Sequence, residues 1–203
     1  MEIMEFYRDI LQISDRGLIE AMASNTSKIR LKKGEMLVCA GEEEKYVFFL
    51  ITGILRGFFL NADGSEITDC FAFKLGQTVA SCFAMNGPSP IYIESLAKSE
   101  LMMIPQQCVL DLLESYTELM SLYNQILQEA LRLHWEIKTA SLQRTATERY
   151  LWFIQKYPKL IDQIPNKYIA SFLGMTTVTL SRIRSSLKER ACGRSEDGME
   201  VLL

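Results

Sequence analysis

The stretch Ile169-Ala170-Ser171-Phe172-Leu173-Gly174-Met175-Thr176-Thr177-Val178-Thr179-Leu180-Ser181-Arg182-Ile183-Arg184-Ser185-Ser186-Leu187 reads as two short helices joined by a tight turn. Ala170 is small enough for a second helix to cross the first closely. Gly174 can adopt the left-handed conformation that ends a helix, and Thr176 can cap the one that follows. Leu173, Leu180, Ile183 and Leu187 fall on one helical face and are predicted to pack inward. Thr176, Thr177, Val178, Ser181 and Arg182 point the other way. A helix that exposes such residues in its first turns suits the major groove of a duplex, and Arg182 carries a fork that fits guanine O6 and N7.

The flanking residues extend this module over 139–203. Thr145-Ala146-Thr147-Glu148 is a capping box that predicts a helix through Leu151–Lys156. Pro158 and Pro165 bracket a connector, and Asn166 is a favourable N-cap for Lys167–Leu173. From Gly193 to Leu203, the turn residues Glu196-Asp197-Gly198 before Met199–Leu203 predict a turn and terminal strand, as in a wing. The charge is concentrated here. Residues 138–194 hold 11 Lys/Arg against 3 Asp/Glu, whereas residues 1–137 hold 11 against 19, a net of +8 beside −8. The first balance attracts polyphosphate and the second repels it, although a solvated basic face has the same composition.

Upstream, residues 108–138 follow a different period. Leu112, Tyr116, Leu119, Tyr123, Ile126, Ala130, Leu133 and Ile137 recur at steps of 4, 3, 4, 3, 4, 3 and 4, with no Pro or Gly between them. That is a heptad seam, and it predicts one long helix that zips two copies of the chain into a homodimer. A helix packed on its own domain shows the same pattern, and the two tyrosines at a-type positions are unusual for a pure zipper, so part of the seam can face the preceding domain.

Residues 1–107 read as a short N-terminal helix followed by β-structure. Gly34, Gly41, Gly53, Gly64 and Gly76 separate runs at Met36–Cys39, Tyr46–Thr52, Ile54–Leu60, Ile67–Phe73, Tyr92–Leu96 and Leu101–Ile104. Asn61-Ala62-Asp63-Gly64 supplies the residues of a hairpin turn. Short strands at this spacing predict a sandwich or jelly roll. The fold class is therefore α+β: an N-terminal β-roll sensor domain (1–107), a dimerisation helix (108–138) and a C-terminal winged helix-turn-helix (139–203).

Several chemistries find no support. Cys39, Cys70, Cys82, Cys108 and Cys192 are scattered, odd in number and without a C-x-x-C pair, as in reduced cytosolic thiols. Redox control through Cys82 or Cys108 competes there with buried, inert thiols. The chain has no run of apolar residues long enough to cross a membrane and no signal-peptide h-region, so a cytoplasmic location is expected. His134 is the only histidine, and beside Leu133 it reads as flanking the helix interface, not as a metal or haem ligand. With one histidine and no phosphate-cradling loop, an enzyme is not expected, and neither is a cofactor.

The quoted motif, with Tyr157-Pro158 and Ile164-Pro165-x-Lys167-Tyr168 before it, resembles the helix-turn-helix of the Crp/Fnr family of bacterial transcription regulators. Lys33-Gly34-Glu35, Gly41-Glu42, Tyr46, Gly53-x-x-Arg56 and Asp63-Gly64-x-Glu66 resemble the family's cyclic-nucleotide-binding-type β-roll, and the order of the three parts is the family's own. The resemblance implies a sequence-specific regulator that binds a near-palindromic operator in double-stranded DNA as a homodimer, with RNA polymerase a candidate partner. It would put Thr177, Val178 and Arg182 at bases, and Lys167, Thr176 and Thr179 at phosphates. Ser181 joins the first group, and Arg184 and Lys188 the second. At Thr177 and Val178 the chain departs from the Arg and Glu of many members, so base preference does not transfer.

The resemblance does not extend to cyclic AMP. Family members that bind it use an acid for the ribose and an arginine for the phosphate. Here no Arg or Lys occurs between Lys74 and Lys98, and no acid between those lysines before Glu94. An unpaired phosphate in such a pocket is costly to desolvate. Phe71, Phe73, Val79, Cys82, Phe83 and Met85 would line an apolar effector pocket or fill a core equally well, and the effector is not identified. The closest competing reading is a ligand-controlled dimerising adaptor without DNA binding. A capped helix carrying Arg182, Arg184 and Lys188 speaks against it.

Overall fold

The computed structural model describes residues 1–80 and 87–194, the last five of these by their backbone alone. The chain divides into two compact units, Met1–Leu133 and His134–Leu203. The division falls inside the segment expected to be a separate dimerisation helix.

The first unit is a sandwich of two four-stranded antiparallel sheets. One sheet has the order β1 (Ser27–Leu31), β8 (Ser99–Pro105), β3 (Tyr46–Thr52), β6 (Thr78–Val79). The other has the order β2 (Met36–Val38), β7 (Tyr92–Ser95), β4 (Leu55–Leu60), β5 (Glu66–Ala72). Six of these strands lie where the glycine-punctuated runs predict them. β4 and β5 meet through the expected hairpin, with Asn61 N donating to Ser65 O at 2.8 Å. β1 and β6 were not anticipated. β1 is a polar edge strand, Ser-Lys-Ile-Arg-Leu, paired on β8, and its charges suit an edge that must not recruit another strand.

β3 explains how the unit is layered. Its side chains alternate between two cores. Phe48 and Leu50 join Leu55, Ile93 and Leu101 between the sheets. Val47 and Phe49 point the other way, with Met102 and Ile104 of β8, against Phe6, Tyr7, Leu18, Met22, Val109 and Leu119. These last residues come from a helical layer: α1 (Ile3–Glu5) running into a π-turn (Phe6–Ile10), α2 (Arg16–Ser24), α3 (Gln106–Ser115) and the start of α4 (Thr117–Gln143). Glu118 on α4 ties the layer together by accepting from Ser14 N at 2.7 Å and Asp15 N at 2.8 Å. These amides, with the Ser14 hydroxyl, hold its carboxyl below the usual range.

Residues 108–138 do not form one helix. At Tyr116 the backbone is extended (φ −122°, ψ 108°), and α3 ends there before α4 begins. The 4-3 spacing runs through the break because the Tyr116 side chain still packs on the helical-side core from its extended backbone.

The sheet β2-β7-β4-β5 is pinned by a buried arginine. Arg56 is 1% exposed. Its Nη1 donates to Glu66 Oε2 and Glu94 Oε1, both at 2.7 Å, and its Nε to Thr68 Oγ1 at 2.9 Å. The guanidinium also lies 4.4 Å from the Phe58 ring centroid. Three strands thus converge on one cation.

The second unit is helical: the end of α4 from His134, then α5 (Ala146–Lys156), α6 (Asn166–Phe172) and α7 (Thr177–Arg194). Phe153, Tyr157, Leu160, Ile169, Phe172, Leu173 and Leu180 form its buried interior. Phe153, Tyr157 and Phe172 contact one another with ring centroids 5.0–5.9 Å apart. The expected capping box is present: Thr145 Oγ1 accepts from Glu148 N at 3.3 Å, and Glu148 Oε2 accepts from Thr145 N at 2.8 Å. Of the expected wing, Gly193 belongs to α7, and everything from Ser195 onward lies outside the described residues.

Candidate nucleic-acid interface

The turn between α6 and α7 is built as its residues predict. Gly174 has φ +60°, a conformation that costs an L-side chain about 1 kcal/mol or more. The carbonyls that α6 leaves unpaired are taken locally: Leu173 N donates to Ile169 O at 3.0 Å, and Met175 N to Ala170 O at 3.0 Å. Leu173's own carbonyl accepts from Arg149 Nε at 2.8 Å. No sequence signal marks this role of Arg149, since its partner is a backbone atom 24 residues away. Thr176 caps α7, with its Oγ1 accepting from Thr179 N at 3.1 Å.

One point of the expected capping fails. Asn166 is the first residue of α6, and Pro165, extended at φ −59° and ψ 138°, holds the cap position. The Asn166 side chain instead accepts from Arg184 Nη1 at 2.6 Å, bridging α6 and α7.

The inward and outward faces of α7 separate as predicted. Leu180 and Ile183 are buried and Leu187 is half-buried. Thr176, Thr177, Val178, Ser181, Arg182 and Lys188 are exposed, Val178 by 57%. Thr179 and Arg184 are half-buried. Lys167, exposed at the start of α6, holds its ammonium 4.6 Å from the Tyr168 ring centroid. A cap, a glycine turn and a helix with an apolar back leave its first turns and cations facing solvent. Such a surface can enter a major groove while neighbouring cations meet phosphates.

The first unit places its predicted residues less simply. Val79 is part of the filled core between the sheets. Phe71 is buried and Phe73 half-buried, while Cys82, Phe83 and Met85 lie outside the described residues. Burial pushes the Cys70 thiol up to about 12 and raises that of Cys108 as well, so neither is poised as a thiolate.

The first part of the expected seam serves the unit's own core. Leu119 is buried there, and the half-buried Leu112 and Tyr116 pack against it. Tyr123 and Ile126 line a cavity shared with Val47 and Phe49 of β3. Ala130, Leu133 and Ile137 are half-buried. At Leu119, Tyr123 and Ile126 the 4-3 stripe marks a face of α4 turned to the unit's own sheet. The exposed apolar residues of α4 lie on other positions, Met120 at 40% and Leu131 at 60% among them.

Residues 28–116 match the cyclic nucleotide-binding domain family, so the β-roll of the first unit is of that type. A comparison with curated protein sequences gives no match. Among solved structures, the chain is similar to FixK2 from Bradyrhizobium japonicum at 19% identity and a TM-score of 0.73, over 82% of this chain and 86% of that one. It is similar to CLP, the c-di-GMP responsive global regulator of Xanthomonas campestris, at 13% identity and a TM-score of 0.72, over 87% and 93%. A protein from Eubacterium rectale, described as a transcriptional regulator of the Crp/Fnr family, is 16% identical with a TM-score of 0.69, over 91% and 88%. At these identities what is shared is the fold, which is the one that the resemblance implied: a β-roll followed by a helix-turn-helix.

Proposed function

We propose that the protein is a sequence-specific DNA-binding transcription regulator of the Crp/Fnr type, acting as a homodimer on a near-palindromic operator. The observation that carries this reading is the α6–α7 pair, in which a capped helix turns an exposed Thr177, Val178, Ser181 and Arg182 outward from a unit rich in Lys and Arg. In this reading Arg182 reads a guanine, Thr177 and Val178 meet base edges or thymine methyls, and Ser181 accompanies them. Lys167, Thr176, Thr179 and Lys188 meet phosphates, and Arg184 does so while its other hand holds Asn166. Met120, Asn124, Leu127 and Leu131 of α4, spaced 4, 3 and 4 and all exposed in the monomer except the half-buried Leu127, form the seam between copies. Among the described residues, the buried cation Arg56 is already held by two carboxylates, which leaves the roll ill-equipped for cyclic AMP.

The test is selection of bound duplexes from a random pool, followed by titration of the recovered sites against salt. Near-palindromic sites, two chains per duplex and log Kobs falling steeply with log salt are expected. Recovery of no preferred sequence, with equal binding to scrambled duplexes, contradicts the reading. Leu131→Asp separates the seam from the fold: it should yield a folded monomer, whereas an intact dimer would place the seam elsewhere.

A further inference from the structure

We infer that the sensor unit holds a binding site for a short alkyl chain, between the helix-facing side of β3 and α4. A cavity of about 60 Å³ lies there, walled by Val47 and Phe49 from the strand and by Leu122, Ile126 and Leu127 from the helix. It is not the interior of the roll. Phe48 and Leu50, on the other side of the same strand, fill that space with Leu55 and Ile93.

Size and lining define the occupant. The cavity exceeds the roughly 10–15 Å³ that a single water needs, yet largely apolar walls leave a water short of the two to four partners that it requires. Apolar cavities of this sort stay dry and accept apolar guests. The volume takes the end of a hydrocarbon chain and excludes a nucleotide or a fused ring. Among the described residues no Lys or Arg lines it, so neither a phosphate nor a carboxylate head meets a cation. The polar residues at its wall are the half-buried Glu44, Thr78 and Gln106, with Tyr46 and Tyr123. A carboxylate, hydroxyls and an amide suit a head group that donates hydrogen bonds: an alcohol, an amide or an amine. Leu127, half-buried, belongs both to this wall and to the proposed seam of α4, so a chain seated here presses on the helix through which copies are proposed to pair.

The experiment uses the full chain without DNA, so its outcome is independent of the DNA-binding reading. 1-Hexanol is titrated while the melting temperature and the 13C-methyl spectrum are followed, with hexanoate as the comparator. Saturable stabilisation is expected, with methyl shifts at Val47, Ile126 and Leu127 and none at Val38 and Ile93 inside the roll. Hexanoate should bind about tenfold more weakly, because its charge meets Glu44 and no cation. Ile126→Phe, which fills the void, should abolish the hexanol effect while keeping the fold. Should that larger ring prevent folding, Val47→Ile narrows the same space by one methyl group and should weaken binding. Non-saturating effects, shifts confined to Val38 and Ile93, or unchanged hexanol binding by a folded, filled variant would each overturn the site.

Discussion

Two arginines show how differently the halves of this chain use positive charge. Arg56 is 1% exposed, clamped by Glu66, Glu94 and Thr68, and works wholly inside the sensor unit. Arg182 stands exposed on α7, in a segment where cations outnumber acids 11 to 3, with no ion pair among the described residues. A buried ionic network fixes strand geometry and tolerates no loss of a partner. An exposed cation contributes little to folding and is available to a ligand. The contrast predicts that substitutions in the two units fail in different assays.

The largest effect is expected at Arg56. Arg56→Met leaves the largely buried Glu94 carboxylate without its cation, while Glu66 keeps access to water, and should destabilise the first unit by about 3 kcal/mol, read as a lower denaturation midpoint. A midpoint within experimental error of the parent's would show the clamp to be energetically idle. Next comes Arg182→Ala, which should cost roughly 1–3 kcal/mol of binding to the selected operator and relax specificity at one base pair, with the melting temperature unchanged. Loss of stability without loss of specificity would reverse the assignment of the two arginines. Gly174→Ala falls between these behaviours. Its positive φ should cost about 1 kcal/mol in folding of the helical unit, and binding should weaken only in step with the folded fraction.

The smallest effect is a dependence on acid. Glu148 and Glu118 accept backbone amide protons, from Thr145 and from Ser14 and Asp15, and both carboxyls are held below their ordinary value. A folded-state pKa lower than the unfolded one adds stability that is present above the unfolded value and is lost as pH falls through the folded value. Unfolding should therefore become easier as the solution is acidified through the carboxylate range. Glu148→Gln or Glu118→Gln should flatten that slope, and a variant with the parent's slope would mean that the amide contacts do not persist in solution.

The helix-turn-helix was legible because each of its parts is a local matter. A cap, a glycine and an apolar face identify themselves within about twenty residues. The inner strands were legible for the same reason, through turn glycines and alternating side chains. β1 was hidden because Ser27-Lys28-Ile29-Arg30-Leu31 is an edge strand whose partner lies about 70 residues on, and its alternation of Lys28 and Arg30 with Ile29 and Leu31 is too short to stand out. The seam shows the limit most clearly. A 4-3 stripe establishes that one face of a helix is buried, but not what buries it. Here residues 112–126 meet the chain's own β-roll, and the spacing would be the same against a second copy. Asn166 was misread because a cap and an inter-helix acceptor require the same side chain, and only the position of Arg184 decides between them.

The central claim is mechanical: two copies offer their α7 helices to one duplex. Hydroxyl-radical footprinting of the full chain on its selected operator tests that directly. The account predicts two protected patches centred about 10–10.5 base pairs apart on one face of the duplex, both lost together in Leu131→Asp. A single protected patch that survives this substitution, or uniform protection without spacing, would contradict it.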